Sequence, residues 1–114
     1  MKRDDLVYVL DMLKSIAKIE SYVSGIDEQE FLSNSETQDA VLRRLEIIGE
    51  ASKQLSGSFR DSHPAVPWKK IAGLRDVLIH SYFGVNMERT WKVAKEDLSE
   101  LKDNLQKAKA ELEK

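Results

Sequence analysis

The sequence predicts an all-α protein, an antiparallel up-and-down bundle of four to five helices in one domain spanning residues 1–114. Three observations carry that prediction. Apolar residues recur at spacings of three and four in four separate stretches, which is the period of a helix with one buried face. No stretch alternates apolar and polar residues as a half-buried strand does. The connections between the periodic stretches are short, which favours antiparallel neighbours.

The first helix starts at the acids Asp4-Asp5, carries Leu6, Leu10, Leu13 and Ala17 and then Tyr22 or Val23 as its expected apolar face, and stops at Ser24-Gly25. A short amphipathic turn follows from Asp27 to Leu32. Ser35-Glu36-Thr37-Gln38 reads as a capping box opening the second long helix. Its face is Val41, Leu45, Ile48, Ala51 and Leu55, and Gly57 is expected to close it. Residues 58–66 read as the one real loop, with Ser56-Gly57-Ser58 as linker chemistry and Pro64 and Pro67 as punctuation. Pro67 suits the first position of a third helix, where its missing N–H is harmless. That helix is expected to run through Trp68, Ile71, Leu74, Leu78 and Ile79 and fade between Tyr82 and Gly84. Gly73 inside it is costly for a helix and implies close approach by another backbone. Asn86 reads as the cap of the fourth helix, with Trp91, Ala94, Leu98, Leu101 and Leu105 facing inward. The charged tail from Lys107 to Lys114 is expected to fray.

Composition narrows the function. Charged residues make up 33% of the chain, and their formal net charge is −2. A sequence-blind nucleic-acid coat is excluded, because its affinity comes from many phosphate contacts. There is no cysteine, hence no disulfide framework, thiolate zinc site or cysteine nucleophile. No apolar run suits a signal sequence or membrane span, so a cytoplasmic protein without membrane contact is expected. No glycine loop cradles phosphates, and no His, Cys or acidic group stands at metal-ligand spacing around His63. No cofactor and no metal are therefore expected.

The chemistry concentrates in Arg75-Asp76-Val77-Leu78-Ile79-His80-Ser81-Tyr82. An arginine, a carboxylate, an imidazole and a phenol fall within about two turns of an otherwise apolar helix, and burying any of them unpaired is costly. Tyr82 follows Arg75 by seven residues, so the two share a face. Asp76 and His80 are four apart and are neighbours. Arg75 can hold a phosphate as a fork, His80 can move a proton near neutral pH, and Asp76 can fix the imidazole tautomer. One helix supplies one histidine, whereas phosphodiester cleavage is helped by both a base and an acid. Two facing copies would supply both. From Arg60 to Lys92 there are six basic residues (Arg60, Lys69, Lys70, Arg75, Arg89, Lys92) against three acids (Asp61, Asp76, Glu88), a locally positive region in an acidic chain. The same residues also fit a closed core network, or a non-catalytic helical module binding a nucleotidyltransferase or a nucleotide through Arg75 and His80. Glu50 reads either as a partner for Arg75 or a second chain, or as an exposed helix acid. Gly49 beside it suits tight helix crossing, and Trp68 and Trp91 read as core or interface anchors.

Arg75-x4-His80-x-Tyr82 resembles the signature of HepT-type HEPN-domain toxins. Ile48-Gly49-Glu50-Ala51 is similar to the family's segment on its second long helix. Pro67-Trp68-Lys69-Lys70-Ile71-Ala72-Gly73-Leu74-Arg75 is similar to its lead-in to the motif, and Trp91 falls where the family often has tryptophan. The likeness covers most of residues 40–105. It departs at Asp76, where the family more often has asparagine. The resemblance implies an HEPN-like bundle forming a homodimer. It implies a metal-independent ribonuclease acting on RNA, with Arg75 and His80 of both copies in one interfacial cleft. It also implies a toxin–antitoxin pair, in which a cognate nucleotidyltransferase antitoxin of the MNT type silences the toxin by attaching AMP to Tyr82.

Overall fold

The computed structural model describes residues 2–74 and 86–114. Every regular element among them is helical: α1 (Lys2–Val23), α2 (Glu28–Leu32), α3 (Ser35–Gln54), α4 (Gly57–Ser62), α5 (Trp68–Ala72), α6 (Met87–Lys92), a π-helical turn (Val93–Asp97) and α7 (Leu98–Leu112). The last three run on without a break, since the backbone stays right-handed helical at Val93 and Leu98. The all-α expectation holds.

Three long helices form the framework. α1 packs against α3 on one side and against the π-turn and α7 on the other. Two contacts fix its direction. Asp5 at its start accepts from Ser56, just past the end of α3, at 2.9 Å from the backbone N–H and 2.8 Å from the hydroxyl. Glu20 near its end accepts from Lys102 Nζ, early in α7, at 3.1 Å. α1 is therefore antiparallel to both neighbours. The core between them holds Val9, Met12, Ile16, Ile19, Leu45 and Ile48 with no exposed surface. Each such side chain contributes about 1.5–3 kcal/mol when fully buried.

The expected face of α3 is found, with Val41, Leu45, Ile48, Ala51 and Leu55 all buried. That of α1 is found only in part: Val23 is buried and Leu13 and Tyr22 pack on the core, but the fully buried stripe is rotated from the expected one. Val9, Met12, Ile16, Ile19 and Val23 are buried, whereas Leu10 is 40% exposed and Ala17 is exposed. The helix has two apolar stripes, and the one bracketed by Asp5 and Val23 meets α3 and α7. The tail does not fray: α7 continues to Leu112, with Ala108 buried and Leu112 packed on the core.

The helix ends also differ from expectation. The cap of α3 is Asn34, not Ser35: its side chain accepts from the Thr37 N–H at 3.0 Å. α3 ends at Gln54, with extended backbone at Leu55, and Gly57 opens α4 instead of closing α3. Ser56 caps α4 by accepting from the Phe59 N–H at 3.1 Å while donating to Asp5. The stretch taken for a linker is thus a capped helix start tied to α1, and helix α4 occupies much of the expected loop. Asn86 stands at the N-cap of α6, but its side chain makes no capping bond. Its backbone lies at φ 80°, in the left-handed region that asparagine tolerates.

Candidate functional site

The approach to the motif is built by α4 and α5. Pro67 occupies the N-cap of α5, one position earlier than expected, and Trp68 is the first helical residue. The Trp68 indole Nε1–H is shared between two carbonyls at the end of α4, Arg60 O at 3.2 Å and His63 O at 3.0 Å. Its ring stands edge-on to Phe59 at 5.8 Å. These contacts fix the azimuth of α5, which also packs on α3. α5 stops at Ala72 with Gly73 as its C-cap, so Gly73 ends a short helix where a continuous one was expected. The Gly73 N–H donates to Lys69 O at 3.1 Å.

Four of the expected site residues, Arg75, Asp76, His80 and Tyr82, lie outside the described residues. The described structure shows the elements that precede and follow them in sequence. Beside the end of α5 is a cleft of about 280 Å³, with one wall from Val66 to Leu74 and the other along α6, the π-turn and α7. Leu74, which lines it, precedes Arg75 in sequence. Its floor is apolar, from Val66, Ile71, Leu74, Val93, Leu98 and Leu101. Its rim carries Lys70, Arg89 and Lys92, with Asp97, Glu100 and Asn104 further along. Lys70, Arg89 and Lys92 are all exposed. Among the described residues the ion pairs join Arg43 to Glu46, Lys53 to Glu50, Lys102 to Glu20 and, when the imidazole is protonated, His63 to Glu111, and none draws on the cleft's cations.

The wall from α6 to α7 owes its shape to the π-turn. An i→i+5 closure inserts one residue into the α-helical phase. Asp97 then stands to Arg89 as an i+7 neighbour does in an uninterrupted helix, within about 20° of the same direction. A regular helix would turn it about 80° away. The local charge excess had marked Lys70, Arg89 and Lys92 in the sequence. It gave no sign of Asp97 or Asn104, because a π-turn has no residue code of its own.

Other expected residues fall as follows. Glu50 is an exposed helix acid, 3.4 Å from Lys53. Trp91 is half-buried, with its ring centroid 5.3 Å from that of Phe31 and Lys95 Nζ 5.2 Å away. His63 is less solvated than a loop histidine: it ends α4, its ring lies 4.5 Å from Phe59, and Nε2 is 3.6 Å from Glu111. Among the described residues no three His, Cys, Asp or Glu side chains converge as a metal site, and no helix is long and apolar enough to cross a membrane.

Comparison with known proteins adds independent information. A family model described as HepT-like, ribonuclease HepT-like, matches residues 12–108. A Thermococcus cleftensis protein named probable ribonuclease HepT is 45% identical over 107 residues, covering 94% of this chain and 97% of its own length. A Methanocaldococcus jannaschii protein with RNase in its name is 42% identical over 105 residues, covering 92% of this chain and 96% of its own. A second protein from that organism, whose name joins gamma-glutamylcyclotransferase to RNase, is 44% identical over the whole chain. This chain spans about half of that relative, 51% of its length. No solved structure matches the chain significantly.

Proposed function

The chain belongs to the HepT-like ribonuclease family, and from that premise we propose that it is a metal-independent endoribonuclease, the toxin of a toxin–antitoxin pair. The observation that carries this reading is that the family match, residues 12–108, runs through Arg75-x4-His80-x-Tyr82.

The motif's chemistry supports an internal transesterification. His80 accepts the proton of the RNA 2′-hydroxyl as that oxygen attacks phosphorus. Arg75 binds the phosphoryl oxygens as charge builds on them. The P–O5′ bond breaks, and a proton passes to the leaving 5′ oxygen. The products are a 2′,3′-cyclic phosphate and a 5′-hydroxyl. In a homodimer with the motifs facing, the second copy's His80 supplies that proton, so base and acid come from two chains. Asp76 accepts from the imidazole and holds its tautomer. Control falls to Tyr82. A cognate nucleotidyltransferase joins its hydroxyl oxygen to the α-phosphorus of ATP, releasing pyrophosphate. The added phosphate then occupies the Arg75 fork and repels incoming RNA.

The test is RNA cleavage by the purified chain in EDTA, with product ends analysed. His80→Ala and Arg75→Ala are each expected to lower the rate by about 10²–10⁴-fold, the span of a lost general acid–base or oxyanion contact, with helicity unchanged. Tyr82→Phe is expected to retain cleavage and to escape silencing by the transferase. Cleavage that survives His80→Ala would refute the assigned role. RNA or nucleotide binding without any cleavage would make the chain a binding module instead.

A further inference from the structure

We propose that the cleft between α5 and the π-turn is a nucleotide subsite that seats one residue of the substrate RNA. Its cationic end would hold the backbone phosphate, and Asp97 would read the base. This rests on the ribonuclease reading above and deepens it by naming how substrate is held and selected.

Charge is graded along the cleft. Arg89 and Lys92 stand on α6, and Lys70 faces them from α5. Asp97 and Glu100 follow further along the helical wall. Lys92 and Asp97 are separated by about 7 Å along the helix axis at 1.5 Å per residue. An RNA backbone cannot run the length of such a cleft, because its second half places two carboxylates against phosphates. A single nucleotide turned inward meets both halves well. Its phosphate takes the free cations, and its base takes the apolar floor of Ile71, Leu74 and Val93. At about 280 Å³ the cleft lies just below the ~300–1,000 Å³ usual for small-molecule sites, the scale of one nucleoside and not two.

The base edge is constrained as well. Asp97 offers only acceptors when ionised. The Asn104 side-chain N–H donates to Glu100 O at 3.0 Å, which ties its amide to α7 and leaves one N–H and the carbonyl oxygen open. The carboxylates of Asp97 and Glu100 favour a base with an exocyclic amino group, adenine, cytosine or guanine, over uracil, which offers a single N–H flanked by two carbonyls that repel them. The π-turn is what brings Asp97 onto the face that carries Arg89, and such turns recur at functional sites.

The experiment uses the full-length chain carrying His80→Ala, with short fluorescein-labelled single-stranded RNAs that differ at one base, read by anisotropy across a salt series. Arg89→Gln with Lys92→Gln is expected to weaken binding about tenfold and to flatten the slope of log affinity against log salt by about 0.7, the value for the one phosphate the subsite holds. With His80 present, the same pair should raise KM while leaving kcat nearly unchanged. Asp97→Asn should narrow the preference for amino-bearing bases over uracil from several-fold to about none. Lys107→Gln with Lys114→Gln removes the same charge away from the cleft and should change neither reading. Equal weakening by that control pair, or an unaltered base preference in Asp97→Asn, overturns the subsite. If the native chain fails to cleave RNA yet these binding shifts appear, the ribonuclease reading falls and the subsite stands. If cleavage is intact and the shifts are absent, only the subsite falls.

Discussion

The framework of α1, α3 and α7 and the rim formed by α5, α6 and the π-turn solve different physical problems with the same helical material. In the framework, fully buried aliphatic side chains meet across three long helices, and the polar ends are tied off by Asp5 with Ser56 and by Glu20 with Lys102. In the rim α5 is five residues long, α6 and the π-turn open the long helix that α7 continues, the backbone departs from α geometry at Asn86 and at the π-turn, and three cations stand without a carboxylate partner among the described residues. An isolated helix as short as α5 is not stable in water, and α6 with the π-turn is carried by α7, so the rim holds its shape because the framework positions it. The lesson is a division of labour: stability resides in the aliphatic framework, where the Ser15 hydroxyl of α1 is nevertheless buried without a partner, and binding chemistry in the open rim.

The sharpest way to break that division is to cut a hole in the framework. Leu45→Ala removes a side chain with no exposed surface between α3 and its neighbours. It is expected to cost about 3 kcal/mol of unfolding free energy, within the usual 2–5 for a buried leucine. Measured by denaturant titration, the midpoint should fall while kcat for RNA, at temperatures where the chain stays folded, is unchanged. A loss of kcat without a loss of stability would mean that the framework takes part in the chemistry. The next effect in size is at Asp5, buried at 5% exposure and accepting two bonds from Ser56. Asp5→Ala leaves the Ser56 N–H and hydroxyl without their acceptor and loosens the cap of α4. About 2 kcal/mol is expected, by the same titration. The rim pair Arg89→Gln with Lys92→Gln should change the unfolding free energy by no more than about 0.5 kcal/mol.

The same division explains what the sequence made legible. The face of α3 was readable because one stripe, Val41 to Leu55, dominates a helix with polar residues elsewhere. α1 carries two apolar stripes, and periodicity cannot choose between them. The choice was made by α3 and α7 pressing from two sides, which no local signal records. The tail could have been read, since Leu98, Leu101, Leu105, Ala108 and Leu112 keep helical spacing beneath the charges. Ser56 could not, because the residue that makes it a structural cap is Asp5, 51 positions away. For the site, the motif and the excess of positive charge were readable, whereas the π-turn that turns Asp97 into the cleft was not. The motif itself, Arg75 to Tyr82, lies outside the described residues, so its roles rest on the sequence and on the family.

The smallest expected effect lies where framework and rim join, at the α2–α3 corner. A capping box would place Ser35 as cap, with Gln38 reaching back to the Ser35 N–H. The structure moves the cap one residue earlier. Asn34 has the extended backbone of an N-cap, φ −120° and ψ 93°, and its carbonyl oxygen accepts from Thr37 N–H. That frees Gln38 for another task. Its side-chain N–H group donates to Phe31 O at 2.8 Å and Leu32 O at 3.1 Å, two carbonyls at the end of α2. Gln38 thereby clamps α2 onto α3 and holds Phe31 beneath Trp91 of α6, so the corner transmits the framework's order to the rim. The two capping schemes predict different losses. Asn34→Ala should cost about 1 kcal/mol and Ser35→Ala no more than about 0.5 kcal/mol, compared by paired denaturant titrations. A larger loss at Ser35 than at Asn34 would restore the capping box. It would also return Gln38 to the helix end, leaving Phe31 and Leu32 without the bonds that align α2 under the rim.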